Sequence, residues 1–227
     1  MEKSNNTKMV EILRRLKPEM HGAVVGGMEE RGVKYNFSYG VAVPVIRRVA
    51  AEYAPDPALA EFLFRQDIRE LKLAAIYVDD PQSVTREQME RWGAAMNTVE
   101  LIEHAAMALF YAAPEAEAVI DEWLFEEDPL LVRGALQMAG RRAVTGLSEE
   151  EEMKRQLKGI EIRVLNRNET PVRAAVYALC KIAGRSETLK QEVGAAMGRF
   201  RESGFDLAVE IASEVEALAG LSGASAG

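Results

Sequence analysis

Cysteine, histidine and long apolar runs are all scarce in this sequence. Among its 227 residues there is one cysteine, Cys180, and there are two histidines. A single cysteine excludes an internal disulfide framework and suits a reducing compartment. With so few histidines and cysteines, neither a zinc site nor a Cys/His catalytic pair is expected. We therefore expect no metal centre.

Membrane-spanning and secretory signals are also lacking. No apolar run approaches the roughly 18 residues that a membrane helix needs. The first eight residues are polar and contain no apolar core of a signal peptide. These features predict a cytoplasmic protein with no membrane partner.

Basic residues are outnumbered, since 28 Lys and Arg face 36 Asp and Glu, for a formal net charge of -8. This balance counts against a protein that coats nucleic acid non-specifically, because such domains are usually basic overall. A basic groove on an acidic body is still compatible with the charge, since the local field steers a ligand. A nucleic-acid function therefore depends on where the basic residues lie.

Helical periodicity runs along nearly the whole chain, and hairpin signals between alternating apolar runs are absent. The first helix is expected at Lys8–Met20. Pro44 suits the first turn of a helix, Asp56 can cap the next one, and Thr85 with Gln88 has the spacing of a capping box. Breaks every 15 to 20 residues predict one continuous all-α domain over residues 1–220, followed by a disordered tail at 221–227.

An internal repeat sharpens this expectation. Residues 71–74 (LKLA), 132–135 (VRGA) and 172–175 (VRAA) share the order apolar, basic, any residue, alanine. The last two lie about one HEAT period apart, and both follow an acid and a proline. Small residues let neighbouring helices approach closely. The expected fold is a right-handed superhelical solenoid of HEAT-like helical repeats, with ten to thirteen helices and no sheet.

Polar side chains recur at helical spacing in three places. The three sets are Met96, Glu100, Glu103 and His104; Arg133, Gln137 and Arg141; and Arg173, Tyr177 and Lys181. Arg and Lys bind phosphate, and Tyr can lie against a sugar or base, so the sets predict a nucleic-acid surface. The alternative is that Arg133 and Arg173 form salt bridges with Asp128 and Glu169, that Glu100 lies on a solvated face, and that His104 packs or hydrogen-bonds.

The order of several motifs resembles that of the AlkD-like DNA alkylation repair family. These are residues 39–47 (YGVAVPVIR), 68–74 (IRELKLA), 79–81 (DDP) and 87–92 (EQMERW), and with the repeats they cover about residues 8–200. The resemblance implies a HEAT-like solenoid that cradles duplex DNA. It also implies excision of cationic alkylpurines such as 3-methyladenine and 7-methylguanine, without a metal or a cofactor.

The resemblance also implies site residues. The family's catalytic Asp lies one helical turn after a Trp, with Thr-Val between, and the matching run is residues 96–101 (MNTVEL). Glu100 stands at the catalytic position and Met96 at the position of the Trp. A second active-site aromatic falls at Tyr177. The expected DNA contacts are Met96, Lys72, Arg133, Gln137, Arg141, Arg173, Tyr177 and Lys181.

Three functions follow as hypotheses. The first is a monomeric glycosylase that acts on alkylated duplex DNA with Glu100 as the electrostatic stabiliser. The second is a non-catalytic relative that binds damaged or branched DNA, and the third is a HEAT-type scaffold for another protein. A continuous positive wall would favour the first two, and an acidic wall would favour the third.

Overall fold

Twelve α-helices and three short 3₁₀ helices make up the regular structure of residues 3–20, 35–166 and 169–221, which are the residues that the structure, a computed structural model, describes. No strand occurs among these residues. The all-α class and the expected number of helices are therefore confirmed. None of the described helices is long and apolar enough to cross a membrane.

The chain divides into two compact units, Met1–Ala113 and Pro114–Gly227. In the first unit, α4 is central, because it packs against α2, α3 and α6, while α1 packs against α2 and α3. The α-helices of this unit are α1 (Asn5–Leu16), α2 (Val43–Ala50), α3 (Pro57–Phe64), α4 (Arg69–Val78), α5 (Arg86–Ala95) and α6 (Val99–Ala108). Its 3₁₀ helices are Lys17–Glu19, Pro81–Ser83 and Phe110–Ala112.

In the second unit, α10 is central and contacts α8, α9, α11 and α12. The helices are α7 (Ala116–Trp123), α8 (Pro129–Thr145), α9 (Glu150–Leu165), α10 (Val172–Ala183), α11 (Glu187–Glu202) and α12 (Asp206–Ala219). A single domain over residues 1–220 stays a prediction. Of the expected disordered tail, residues 222–227 lie outside the described residues.

Glycine permits the close approach of α8 to α10. A Cβ atom added to Gly140 would lie 2.4 Å from Cε1 of Tyr177 and 3.2 Å from Cα of Ala178. Neither distance is compatible with a normal van der Waals contact, so only glycine fits here without a shift. The expected role of small residues at the contacts between helices is thus seen at this position.

Local capping explains where most helices begin. Pro44 lies in the first turn of α2. The Asp56 carboxylate accepts a hydrogen bond from Leu59 N (3.0 Å), and the Thr85 hydroxyl accepts one from Gln88 N (3.2 Å). The other half of the predicted capping box is wrong: the Gln88 side chain turns to Asp79, to which its Nε2 donates at 2.6 Å, and its Oε1 does not accept from the Thr85 N–H.

The first helix differs from its expected bounds. It begins at Asn5 rather than Lys8, because the Ser4 hydroxyl caps it by accepting a hydrogen bond from Thr7 N at 3.2 Å. It ends at Leu16, and a 3₁₀ helix follows. Ile12 and Leu16 are fully buried, as their spacing predicts.

Aromatic stacking supports the core of the first unit. Trp92 is 1% exposed and stacks on Phe64 with ring centres 4.0 Å apart and planes 2° from parallel. Its indole N–H donates to Glu61 at 3.0 Å, so the buried polar atom is satisfied. This packing brings α3 and α5 together.

Candidate functional site

Glu100 lies in the first turn of α6, a helix that Thr98 caps by accepting a hydrogen bond from Leu101 N at 3.3 Å. The positive end of the helix dipole favours an acid at this position. The Glu100 side chain is 20% exposed. The expected catalytic carboxylate is therefore largely enclosed by its own unit.

Both carboxylate oxygens of Glu100 already have strong donors. Arg69 donates from Nη2 to Oε1 at 2.5 Å and from Nε to Oε2 at 2.7 Å, which is a bidentate ion pair. The Tyr35 hydroxyl donates to Oε2 at 2.6 Å. The arrangement commits the charge of Glu100 to Arg69.

A buried network continues from this pair. Arg69 is 2% exposed and Glu70 is fully buried, and Arg69 Nη1 donates to Glu70 and to the carbonyl of Val41, each at 2.9 Å. Glu70 in turn accepts hydrogen bonds from the backbone N–H groups of Tyr39 (3.1 Å) and Val41 (3.3 Å). The network therefore fastens residues 35–41 to α4 and α6.

The electrostatics follow from these contacts. Burial by itself would raise the pKa of Glu100, but the Arg69 guanidinium and the Tyr35 hydroxyl outweigh it and hold that pKa below its usual range. Burial and the Glu100 charge raise the pKa of Tyr35, so its phenol stays a donor. Glu100 is thus ionised at neutral pH and paired with Arg69, a cation that it shares with Glu70.

Two of the expected DNA contacts in the first unit are occupied in packing. Met96 is 2% exposed and lies at the C-terminal end of α5, so the expected shared helix face with Glu100 is wrong. Lys72 donates to the carbonyl of Phe64 at 3.2 Å, and its ammonium lies 4.7 Å from the centre of the Phe64 ring. Burial lowers the pKa of Lys72. The expected contacts of Met96 and Lys72 with DNA stay predictions.

A second polar cluster in this unit was not expected as a whole. The Tyr77 hydroxyl lies 2.8 Å from Nδ1 of His104, and the Arg47 guanidinium lies 5.8 Å from the centre of the Tyr77 ring. His104 therefore has the hydrogen-bonding role that the sequence suggested as one alternative. In the sequence, Arg47 is only the last residue of the motif at residues 39–47, and no spacing links it to Tyr77 or His104.

In the second unit, α10 presents the expected set on one face. Arg173 and Lys181 are exposed, Tyr177 is half-buried, and Lys181 Nζ lies 5.7 Å from the centre of the Tyr177 ring. Burial raises the pKa of Tyr177, and the nearby charge of Arg141 on α8 opposes that rise. The structure therefore brings Arg141, Tyr177 and Lys181 together.

The polar residues of α8 differ in how deeply they are buried. Arg133, Gln137 and Arg141 are all half-buried along one side of the helix, as their spacing predicts. Arg142 instead belongs to the interior, where it pairs with Glu117 at 2.5 Å and donates to the carbonyl of Leu147 at 2.9 Å.

The alternative prediction of a salt bridge between Arg173 and Glu169 is wrong. Among the described residues, Arg173 forms no ion pair. The Glu169 carbonyl accepts two hydrogen bonds from buried Arg163, at 3.1 and 2.6 Å. The nucleic-acid surface that the three sets of side chains predict stays a prediction.

Fold and side chains together define a HEAT-like helical-repeat protein with exposed cations beside aromatic rings. The family model for DNA alkylation repair enzymes matches residues 27–188, and the chain belongs to this family. No curated protein sequence matches the chain.

One similar solved structure supports the fold. It represents a family of proteins related to the HEAT-like repeat DNA glycosylases with affinity for branched DNA structures. It is 16% identical to this chain, with a TM-score of 0.71, and the match covers 92% of this chain and 95% of that one. At this identity the likeness establishes the HEAT-like repeat fold.

Proposed function

We propose that this protein binds DNA through the α10 row, which we define as Arg173, Tyr177 and Lys181. The observation that carries the proposal is the exposed cation–aromatic arrangement of this row, in which Lys181 lies over Tyr177 and Arg173 follows the same face one turn earlier. Exposed guanidinium and ammonium groups bind phosphate, while a phenol ring lies against sugar or base.

The acidic net charge of -8 makes this row a local feature on an otherwise repelling body. Affinity should then depend on a few phosphate contacts and fall steeply with salt, because each contact releases condensed counterions. A diffuse, non-specific coat of the duplex is not expected. Binding should depend strongly on single residues of the row.

We further propose a preference for branched over linear DNA. The structurally similar protein belongs to a family with affinity for branched DNA structures, and the present chain shares its fold over nearly the whole length. Unlike a linear duplex, a junction brings phosphates of different arms close together, so short rows of cations can contact it more densely.

The test is fluorescence anisotropy with a four-way junction and a linear duplex of equal length, at several salt concentrations. Lys181→Ala should weaken binding several-fold and flatten the salt slope by about one unit. The matched control is Lys158→Ala, which removes the same charge from α9, where Lys158 is 66% exposed and pairs with Glu161 at 3.5 Å. This control should bind like the wild type.

Equal weakening by both variants would contradict a role for the α10 row. Absence of binding to either DNA at low salt would refute DNA binding and favour the scaffold hypothesis. We also propose that the protein acts as a monomer, and light scattering should then give about the chain mass of 25.1 kDa.

Base excision through Glu100 is a second candidate, favoured by an ionised carboxylate whose side chain is still 20% exposed. A cationic purine is a good leaving group and needs no general acid to protonate it. The minimum requirement is therefore one anion near the sugar, which stabilises the positive charge that develops there. The Arg69 pair opposes this role because it already balances the charge. Any excision should therefore be slow.

Methylated duplex DNA, incubated with the wild type and Glu100→Gln, separates the two candidates. Release of 7-methylguanine or 3-methyladenine by the wild type alone would support excision. Equal release by both would remove Glu100 from the mechanism. DNA binding without release would leave the binding proposal standing and end the excision one.

A further inference from the structure

A donor cluster in the first unit lies outside the α10 row and uses three helices. Arg47 comes from α2, Tyr77 from α4 and His104 from α6. The Arg47 guanidinium packs 5.8 Å from the Tyr77 ring centre, and the ring of Tyr77 meets His104 edge-on with centres 6.0 Å apart. We call these three residues the Arg47 cluster.

The donor and acceptor roles in the cluster depend on the contact between the Tyr77 hydroxyl and the His104 ring. Burial lowers the pKa of His104 and raises that of Tyr77, so at neutral pH the imidazole is neutral and the phenol keeps its proton. Because a phenol O–H is the stronger donor and a neutral imidazole nitrogen the stronger acceptor, we assign the Tyr77 hydroxyl as the donor to Nδ1 of His104 across 2.8 Å. A neutral imidazole that accepts at Nδ1 has its proton on Nε2, which makes Nε2–H a donor.

The cluster then offers donors that have no acceptor among the residues that the structure describes. Arg47 is exposed, and it forms no ion pair with the part of the chain that the structure describes. His104 Nε2 likewise has no acceptor among those residues. A guanidinium held against an aromatic ring loses little further freedom when it binds, so it is prepared for an anion.

The charges around His104 are of both signs. Glu100 and Glu103 act on it from its own helix, and Arg69 and Arg47 act from α4 and α2. Arg69 makes the bidentate bond to Glu100 and also pairs with Glu70, so it is engaged in the buried network. Arg47 is the exposed cation among these groups.

From this geometry we infer that the Arg47 cluster binds a phosphate group of the DNA backbone, with Arg47 as the charged donor and His104 as the neutral one. The inference rests on the proposed DNA binding and adds a contact in the first unit. Charged and neutral N–H donors together are typical of phosphate contacts, which position DNA without reading its sequence.

Arg48 supplies a matched control, since it lies next to Arg47 on α2, is exposed, and carries the same charge. Arg47→Ala should weaken binding to a four-way junction by about 3- to 10-fold and flatten the salt slope by about one unit. Arg48→Ala should change the affinity less than about 2-fold. Tyr77→Phe, which releases His104 without removing charge, should weaken binding and leave the slope unchanged.

Circular dichroism of each variant shows whether the fold is kept, and the exposure of Arg47 predicts that it is. Equal affinities for Arg47→Ala and Arg48→Ala, with Lys181→Ala weakened, would overturn this inference alone. Lack of DNA binding by the wild type would overturn the proposed function and the inference with it. Weakening by Arg47→Ala at an unchanged salt slope would also overturn it, because the lost contact would not be to phosphate.

Discussion

Replacing Glu100 with Gln tests whether this carboxylate supports the fold. The change keeps the size of the side chain, removes its charge and turns one oxygen into an amide that faces an Arg69 N–H. Two charge-assisted hydrogen bonds, at 2.5 and 2.7 Å, are weakened or lost. We expect Glu100→Gln to be clearly less stable than the wild type at pH 7.

The size of the stability loss in Glu100→Gln depends on the partners that Arg69 keeps. Breaking a fully buried ion pair costs about 3–5 kcal/mol, because an unpaired charge is left behind. Here Arg69 keeps Glu70 and the Val41 carbonyl, and Glu100 is 20% exposed. The expected loss is therefore smaller, about 2 kcal/mol, and corresponds to roughly 4–8 °C in Tm for a chain of this length.

Urea denaturation at several pH values is the assay. The pKa of Glu100 is depressed in the folded protein, so its stabilising contribution is present above the unfolded pKa and is lost as the pH falls through the folded one. The gap between wild type and Glu100→Gln should be constant from pH 7 to about pH 5 and should shrink below about pH 4.

Glu90→Gln is the matched control, because Glu90 pairs with Arg86 on an exposed helix face and is 46% exposed. Such surface pairs contribute only about 0–1 kcal/mol. If Glu100→Gln were as stable as Glu90→Gln, or more stable than the wild type, the structural role would be refuted. A gain in stability is the result expected for a strained catalytic acid.

Two further predictions concern the helix contacts. Burial raises the pKa of Asp79 to about 6, so its ionised form is destabilising at pH 7, and Asp79→Asn should raise stability there by about 1–2 kcal/mol. Since Asp79 gains its proton as the pH falls, this advantage should vanish near pH 4 in denaturation curves; an equal gain at both pH values would contradict the cause. Gly140→Ala should cost about 1–3 kcal/mol and, by displacing Tyr177, weaken DNA binding, whereas unchanged stability and affinity would disprove the close approach.

The local elements of the fold were predictable because their causes lie within a few residues. Asp56 caps α3 through a backbone group three residues away, and Pro44 needs only its own ring to suit the first turn of α2. Gln88 was the exception. Its side chain turns to Asp79, which accepts a hydrogen bond from Gln88 Nε2 at 2.6 Å and lies nine residues away at the end of the preceding α-helix.

The surroundings of Glu100 were not predictable from spacing, because its partners are remote in sequence. Arg69 is 31 residues away and Tyr35 is 65. The position of Met96 was predictable from the capping residue that follows it, although not from helical spacing. Thr98 is a good N-cap residue, so a new helix begins after it and Met96 belongs to the end of the one before.

Among the 28 basic residues of this acidic chain, burial separates those that hold the fold together from those that can bind a ligand. The net charge does not make this distinction. Arg69, Arg142 and Arg163 are at most 8% exposed, and each bonds to backbone carbonyls or carboxylates. Guanidinium groups suit this task because they remain charged when buried and offer several fixed donors.

Arg47, Arg173 and Lys181 differ from these, because they are exposed, and two of them lie over a tyrosine ring. A cation that the protein does not neutralise keeps its charge for a ligand, and an adjacent ring limits the freedom that binding must remove. Since the body repels DNA, affinity must come from such positions. Exposed, ring-supported cations are therefore the residues at which a single substitution should change DNA binding most.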